Sequence, residues 1–244
     1  RLDSEHRLDP FLLELDGVEL ANCNSVEIDH LGRIWVSVST RLRPRDLAFN
    51  SETPDGFIIL IDGSGKRIVA DGIGFTNECR LDPSGSYLYV NETFGRKLTR
   101  FRLQENNRVM SLCDRETVYE FSDGDFPDGL AFDAESGIWV ACIISNRVIR
   151  INKNRRLGVV LDDSDPILVK SAESHFQERR INRSDIELGA KCTLRNVSSI
   201  AFGGQDLQTV YLGNLGGESI ATFRSPIPGA RPAHLAYNFS LENY

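Results

Sequence analysis

Cysteine is scarce in this chain of 244 residues, and the five that occur, Cys23, Cys79, Cys113, Cys142 and Cys192, are widely spaced with no Cys-x-x-Cys pair. That pattern gives neither a thiolate zinc site nor a disulfide framework, so buried free thiols in a reducing, cytoplasmic compartment are expected. No run of ~18 apolar residues is present, so nothing reads as a membrane span. Basic residues are the minority, 28 Lys+Arg against 35 Asp+Glu for a net charge of −7, which argues against a nucleic-acid partner. A Gly-x-Ser-x-Gly elbow is missing, which counts against a serine hydrolase. No segment carries a convincing helical period. His6, His30, His175 and His234 sit in loop or terminal contexts and read as surface residues. Asn-x-Ser/Thr triplets at Asn91, Asn182, Asn196 and Asn238 mean little without a secretory signal.

What the chain has is a repeat. Four segments share a polar lead residue, an alternating apolar run, a turn of the Asp-x-x-Gly type and a strongly β-prone run. They begin at Asn24, Asn77, Asp128 and, more weakly, Ser198, at intervals of 53, 51 and 70 residues. Alternation on both sides of a short turn predicts a β-hairpin, and Asp82-Pro-Ser-Gly85 supplies the residues a reversal needs. A second pair of strand-like runs follows each hairpin, such as Gly56–Asp62 with Lys66–Ala70 and Arg147–Asn152 with Gly158–Leu161. Four short strands in ~50 residues is the arithmetic of a β-propeller blade. The whole of 1–244 reads as one all-β propeller domain: about four complete blades, a leading strand Phe11–Leu15, and a polar surface insertion near 165–190, centred on Lys170–Ala190.

In such a fold the first strand of each hairpin runs near the central channel. Asn24, Asn77 and Asp128 are therefore expected to converge on one space. A carboxylate with amide carbonyls is an all-oxygen set, suited to a hard cation such as calcium, magnesium or manganese, and the absence of a lead-position histidine lowers zinc. Trp35 and Trp139 hold equivalent places in their repeats and read as inter-blade core. Glu78 reads equally as a pocket residue or a solvated strand end, and Glu92 as a channel-mouth or a structural carboxylate.

Phe126-Pro-Asp-Gly-Leu-Ala-Phe-Asp133, Gly137-Ile-Trp-Val-Ala-Cys142 and Asn146-Arg-Val-Ile-Arg-Ile151, together with the Asn24 and Asn77 repeats in register, resemble the gluconolactonase and regucalcin family over roughly residues 11–225. The resemblance implies a six-bladed propeller, one divalent metal (calcium first; Mg2+, Mn2+ or Zn2+ as alternatives), and hydrolysis of a small-molecule lactone by metal-activated water. It implies Asn77 and Asp128 as metal ligands, Asp128 also as the catalytic residue, and Asn24 as a contact to water or substrate. Asn22 falls where some members carry a substrate-contacting arginine, so Asn22, Asn24 and Glu78 form the expected substrate-binding set. The family's Glu-x-Pro-x-Trp-like ligand motif is absent from this chain. At ~50 residues per blade a six-bladed ring needs about 300 residues. The expectation is accordingly that the first blade, some sixty to eighty residues ahead of Arg1, is not represented, with a natural truncation that abolishes metal binding as the rival. Two other readings stand: a strictosidine-synthase-like propeller, which Tyr87-Leu-Tyr-Val-Asn-Glu-Thr93 resembles, and a non-catalytic binding or scaffold propeller. Oligomeric state is left open.

Overall fold

The computed structural model describes residues 7–236. A short hairpin, β1 (Glu14–Leu15) with β2 (Val18–Glu19), precedes four radial sheets. The first holds β3 (Cys23–Ile28), β4 (Ile34–Val38), β5 (Gly56–Asp62) and β6 (Gly65–Ile73). The second holds β7 (Thr76–Leu81), β8 (Tyr87–Glu92), β9 (Lys97–Asn106) and β10 (Val109–Glu120). The third holds β11 (Pro127–Phe132), β12 (Ile138–Cys142), β13 (Arg147–Ile151) and β14 (Leu157–Asp162). The fourth holds β15 (Val197–Gly203), β16 (Thr209–Asn214) and β17 (Ala221–Arg224). Every strand pairs antiparallel with its successor, and β3, β7, β11 and β15 neighbour one another in that order. This is an all-β propeller with four blades in the described residues.

The turn chemistry of each hairpin follows from its aspartate. Asp29 accepts from the Leu31 and Arg33 amides at 2.9 and 3.1 Å, Asp82 from Ser86 and Tyr87 at 2.9 and 2.8 Å, and Asp133 from Glu135 and Gly137 at 3.0 and 2.7 Å. Gly32 and Gly85 take the left-handed φ (74° and 69°) that these reversals require. In blades one and three the same carboxylate reaches further: Trp35 Nε1 donates to Asp29 at 3.0 Å and Trp139 Nε1 to Asp133 at 2.8 Å. The aspartate thus satisfies the one polar atom of a tryptophan that would otherwise be buried unpaired.

Those tryptophans fill the seams between blades. Trp35 packs with Ile58, Leu60, Leu88 and Val90 across blades one and two, and Trp139 with Val148, Ile200 and Val210 across blades three and four. Their burial is 0 % and 2 % exposed, so both are core, as expected. Each is worth roughly 5 kcal/mol of gross transfer free energy, before entropy is counted.

Three expectations are corrected. The leading strand Phe11–Leu15 is only the two-residue β1, and the fourth sheet has three strands among the described residues, not four. The interval 165–190 is helical: α1 (Pro166–Gln177) and α2 (Arg183–Glu187) are followed by a 3-10 turn at Leu188–Lys191. Their start signals are local. Asp165 accepts from the Ile167 and Leu168 amides ahead of Pro166 at the first helical position, and Asn182 with Asp185 forms a capping box. The insertion is also not purely a surface element, since Ala172, Phe176, Ile181 and Ile186 join Phe49, Phe75, Phe94 and Phe126 in one buried cluster.

Candidate functional site

Each inner strand breaks register where its lead residue sits. The pairing slips between Cys23 and Ser25, between Thr76 and Cys79, between Pro127 and Leu130, and between Val197 and Ser199. Asn24, Asn77 with Glu78, Asp128 with Gly129, and Ser198 are therefore bulge residues, released from the ladder and re-aimed. All of these lead side chains line a single cavity of about 250 Å³. Thr93 and Ser199 join them on the polar side; Phe49, Phe75, Phe94, Phe126, Ile143, Ile144 and Ile186 form an apolar wall.

Polar bonds set the bulges. Asn77 donates from Nδ2 to Thr93 Oγ1 at 2.9 Å, and the Thr93 hydroxyl donates onward to the Pro127 carbonyl at 2.8 Å. Asn91 donates to the Asp128 and Gly129 carbonyls at 2.9 and 3.2 Å, holding the Asp128 bulge from behind. A side chain at position 129 has no room, because a Cβ there would lie 2.5 Å from Ser199 Cα and 2.6 Å from the Ser198 carbonyl. Gly129 lets β11 and β15 approach closely enough to close the cavity.

The Asp128 carboxyl faces the cavity yet is ringed by protein. Burial pushes its pKa up to about 7, the Glu78 charge adds to the rise, and the Asn77 amide and the Arg45 charge oppose it without cancelling it. Glu78 is also raised, by burial first, although Arg80 at 3.6 Å and the Leu130 amide at 2.8 Å favour its charged form.

Asn24, Asn77, Glu78 and Asp128 are thus brought together. Asn22 does not line the cavity; its amide donates to the Thr40 and Leu42 carbonyls at 3.1 and 2.9 Å and secures the segment leading to the 3-10 turn at Arg45–Ala48. Glu92 is structural: buried, it accepts from the Gly74 amide at 2.7 Å and from Arg115 at 3.0 Å. His175 is no plain surface residue, since its Nδ1 lies 2.6 Å from the buried carboxylate of Asp185. His6 lies outside the described residues. All five cysteines are free, with Cys79 and Cys142 buried, Cys113 and Cys192 half-buried, and Cys23 exposed rather than buried. Asn91 and Asn196 are buried, Asn182 caps α2, and Asn238 lies outside the described residues. Among the described residues no group of three or more His, Cys, Asp or Glu side chains is disposed to hold a metal ion, and no helix is long and apolar enough to cross a membrane.

Sequence reading missed the aromatic wall, Arg45 and Arg183. These come from loops and from the insertion, where no repeat register announces them; only the helix-start signals at Asp165 and Asn182 were there to be found.

Comparison with known proteins finds relatives in sequence and in fold. A 6-deoxy-6-sulfogluconolactonase of Pseudomonas putida is 26% identical over 199 residues, covering 80% of this chain and 55% of that protein. The chain spans about half the length of the curated relatives it matches. Among solved structures, a gluconolactonase from Xanthomonas campestris superposes with a TM-score of 0.61 at 17% identity, covering 93% of this chain and 63% of that one. A calcium-binding regucalcin from Agrobacterium tumefaciens gives 0.57 at 17% identity, covering 85% and 62%. These likenesses speak to the propeller fold. The family model described as SMP-30/Gluconolactonase/LRE-like region matches residues 1–163, two thirds of the sequence, and the chain belongs to that family.

Proposed function

We propose that this cavity hydrolyses a lactone, opening a cyclic ester to the hydroxy acid, with Asp128 as the catalytic residue. One observation carries the reading: four successive inner strands each bulge to send a lead residue into one small cavity, and the one carboxylate among those leads, Asp128, lies against the amide of Asn77. A cavity of about 250 Å³ accommodates a single ring and falls just below the usual size of drug-sized ligand sites. The relatives named as lactonases support the same reaction class, a carboxylic ester hydrolase acting on a small molecule. The five free thiols fit a reducing, cytoplasmic setting. The resemblance to the gluconolactonase family implies a six-bladed ring, and it is in such a ring that these sheets are placed here.

The donor set fits a hard divalent ion. It is all oxygen, no basic side chain among the described residues lies within ion-pair distance of Asp128, and a cation would offset the burial and like-charge repulsion that Asp128 carries. Asn77 and Asp128 would hold such an ion, calcium first and magnesium or manganese as the same donor class; zinc is disfavoured by the lack of nitrogen or sulfur ligands. When bound it would polarise the ester carbonyl and lower the pKa of a water molecule. Asp128 then orients the attacking water and accepts its proton. Asn24 and Glu78 contact the ring's polar substituents, and the phenylalanine wall excludes bulk water from the ester. The test is hydrolysis of glucono-1,5-lactone with and without calcium by the wild type and Asp128→Ala. Calcium-dependent turnover lost in the variant is the expected result. No turnover of any sugar lactone by the wild type would leave a binding propeller as the account.

A further inference from the structure

Two guanidinium groups belong to the cavity and have no part in the chemistry just described. Arg45 enters from the 3-10 turn after β4, and Arg183 from the first turn of α2. Neither lies on an inner strand, so neither belongs to the repeated polar register.

Arg45 is exposed and stands over the face of Phe75, with its guanidinium carbon 5.7 Å from the ring centroid. That ring stack places the charge against the cavity wall. No carboxylate lies within ion-pair distance of it among the described residues. Its field nevertheless reaches the interior, because it favours the charged form of Asp128. Arg183 is held differently: Nε donates to Glu187 at 2.8 Å, one helical turn along. That exposed pair leaves the terminal nitrogens of Arg183 without a protein partner in the described residues.

The insertion that carries Arg183 is firmly seated. Phe176 meets Phe126 edge to face and stacks on Phe94, at centroid distances of 5.0 and 6.3 Å, Asn196 donates to the Ile186 carbonyl, and His175 joins α1 to Asp185 of α2. Arg183 and Ile186 are therefore a fixed part of the wall. The cavity is lined by the Asp128 and Glu78 carboxyls, by aromatic rings, and by two exposed guanidinium groups from separate elements, Arg45 with no ion-pair partner among the described residues and Arg183 paired with Glu187 through Nε alone.

We propose that Arg45 and Arg183 select lactones bearing an anionic substituent, a carboxylate, phosphate or sulfonate, remote from the ester. The proposal rests on the lactone-hydrolysis reading above and names its substrate class. The anion would be held by charge-assisted hydrogen bonds at the mouth while the ester carbonyl points toward Asp128. The Asp128 and Glu78 carboxyls themselves disfavour an anion. The charge on the substrate thus fixes which end enters first, and a neutral sugar lactone lacks that orienting contact.

The experiment compares glucono-1,5-lactone with its 6-phosphate, corrected for uncatalysed opening, in the wild type, Arg45→Ala, Arg183→Ala and the double variant. The expected wild-type kcat/KM favours the phosphate by about tenfold, the scale of one hydrogen bond to a charged group. Each single variant lowers that ratio, and the double variant brings it close to one, with the change mostly in KM. Arg45→Glu reverses the preference, and added salt shrinks it in the wild type. Both positions are exposed, so melting temperatures within a degree or two of wild type show that the variants fold. Equal rates for the two lactones, or a preference that survives in the double variant, would overturn the proposal and leave lactone hydrolysis standing. Turnover of neither lactone would remove both.

Discussion

Glu78 and Asp128 bring two carboxylates to the lining of one small cavity, and after burial it is the Glu78 charge that most raises the proton affinity of Asp128. The arrangement costs stability when the cavity holds no cation.

Removing one of the two charges should therefore stabilise the ion-free protein. In the presence of a chelator at pH 8, Asp128→Asn is expected to unfold about 1 kcal/mol later than wild type, read as a shift in the urea midpoint at constant slope. Added calcium should raise the wild-type melting temperature and leave that of Asp128→Asn unmoved, by linkage between binding and folding. Equal calcium stabilisation of both proteins would place any ion elsewhere.

Gly129→Ala is expected to destabilise by more than about 2 kcal/mol, because the added methyl meets backbone atoms of β15 that have nowhere to go. Activity should fall further than stability, since the same displacement moves the neighbouring Asp128. Thermal unfolding and kcat measured on the same preparation separate the two effects.

Phe176→Ala should cost about 3–5 kcal/mol, as for other buried phenylalanines, through loss of its packing on Phe94 and Phe126. Limited proteolysis is then expected to cut the variant within 165–190 and to spare the wild type there. An unchanged digestion pattern would show that the insertion is held by other contacts.

Acid lability should trace to the hairpin aspartates. Burial alone would raise Asp29, but hydrogen bonds from Trp35 and Arg33 outweigh it and hold its pKa below the usual carboxylate range; for Asp133, burial is likewise outweighed by Arg150 and Trp139. A carboxylate held below its unfolded value stabilises the fold above pH ~4 and loses that contribution as pH falls through the lowered value. The expected curve of stability against pH falls steeply below about pH 4, and Asp29→Asn or Asp133→Asn flattens it while lowering the plateau at neutral pH.

The parts of this molecule legible in the sequence are those tied to repeat register. Asp29, Asp82 and Asp133 announced the turns, Trp35 and Trp139 announced the seams, and Asn24, Asn77 and Asp128 share a lead position because they share a geometry. The bulge at Asp128 left no sequence trace, for the bonds that hold it come from Asn91 and Thr93 of the neighbouring blade. Helix α1 was illegible by periodicity because only Ala172 and Phe176 of its face are buried, while Ile167 points outward at 78% exposure and blurs the stripe. Arg45 and Arg183 could not be read at all, since tertiary packing alone brings a post-β4 turn and an insertion to the same opening.

The bulge at the start of every inner strand makes the cavity's chemistry modular. Each blade contributes its lead residue to a shared interior at a position already excused from strand pairing, so a substitution there alters a ligand or a charge without disturbing a ladder. Asn, Asn, Asp and Ser occupy the four positions in this chain. A substitution at one of these four positions changes what lines the cavity, while the aspartate turns and tryptophan seams keep the frame unchanged.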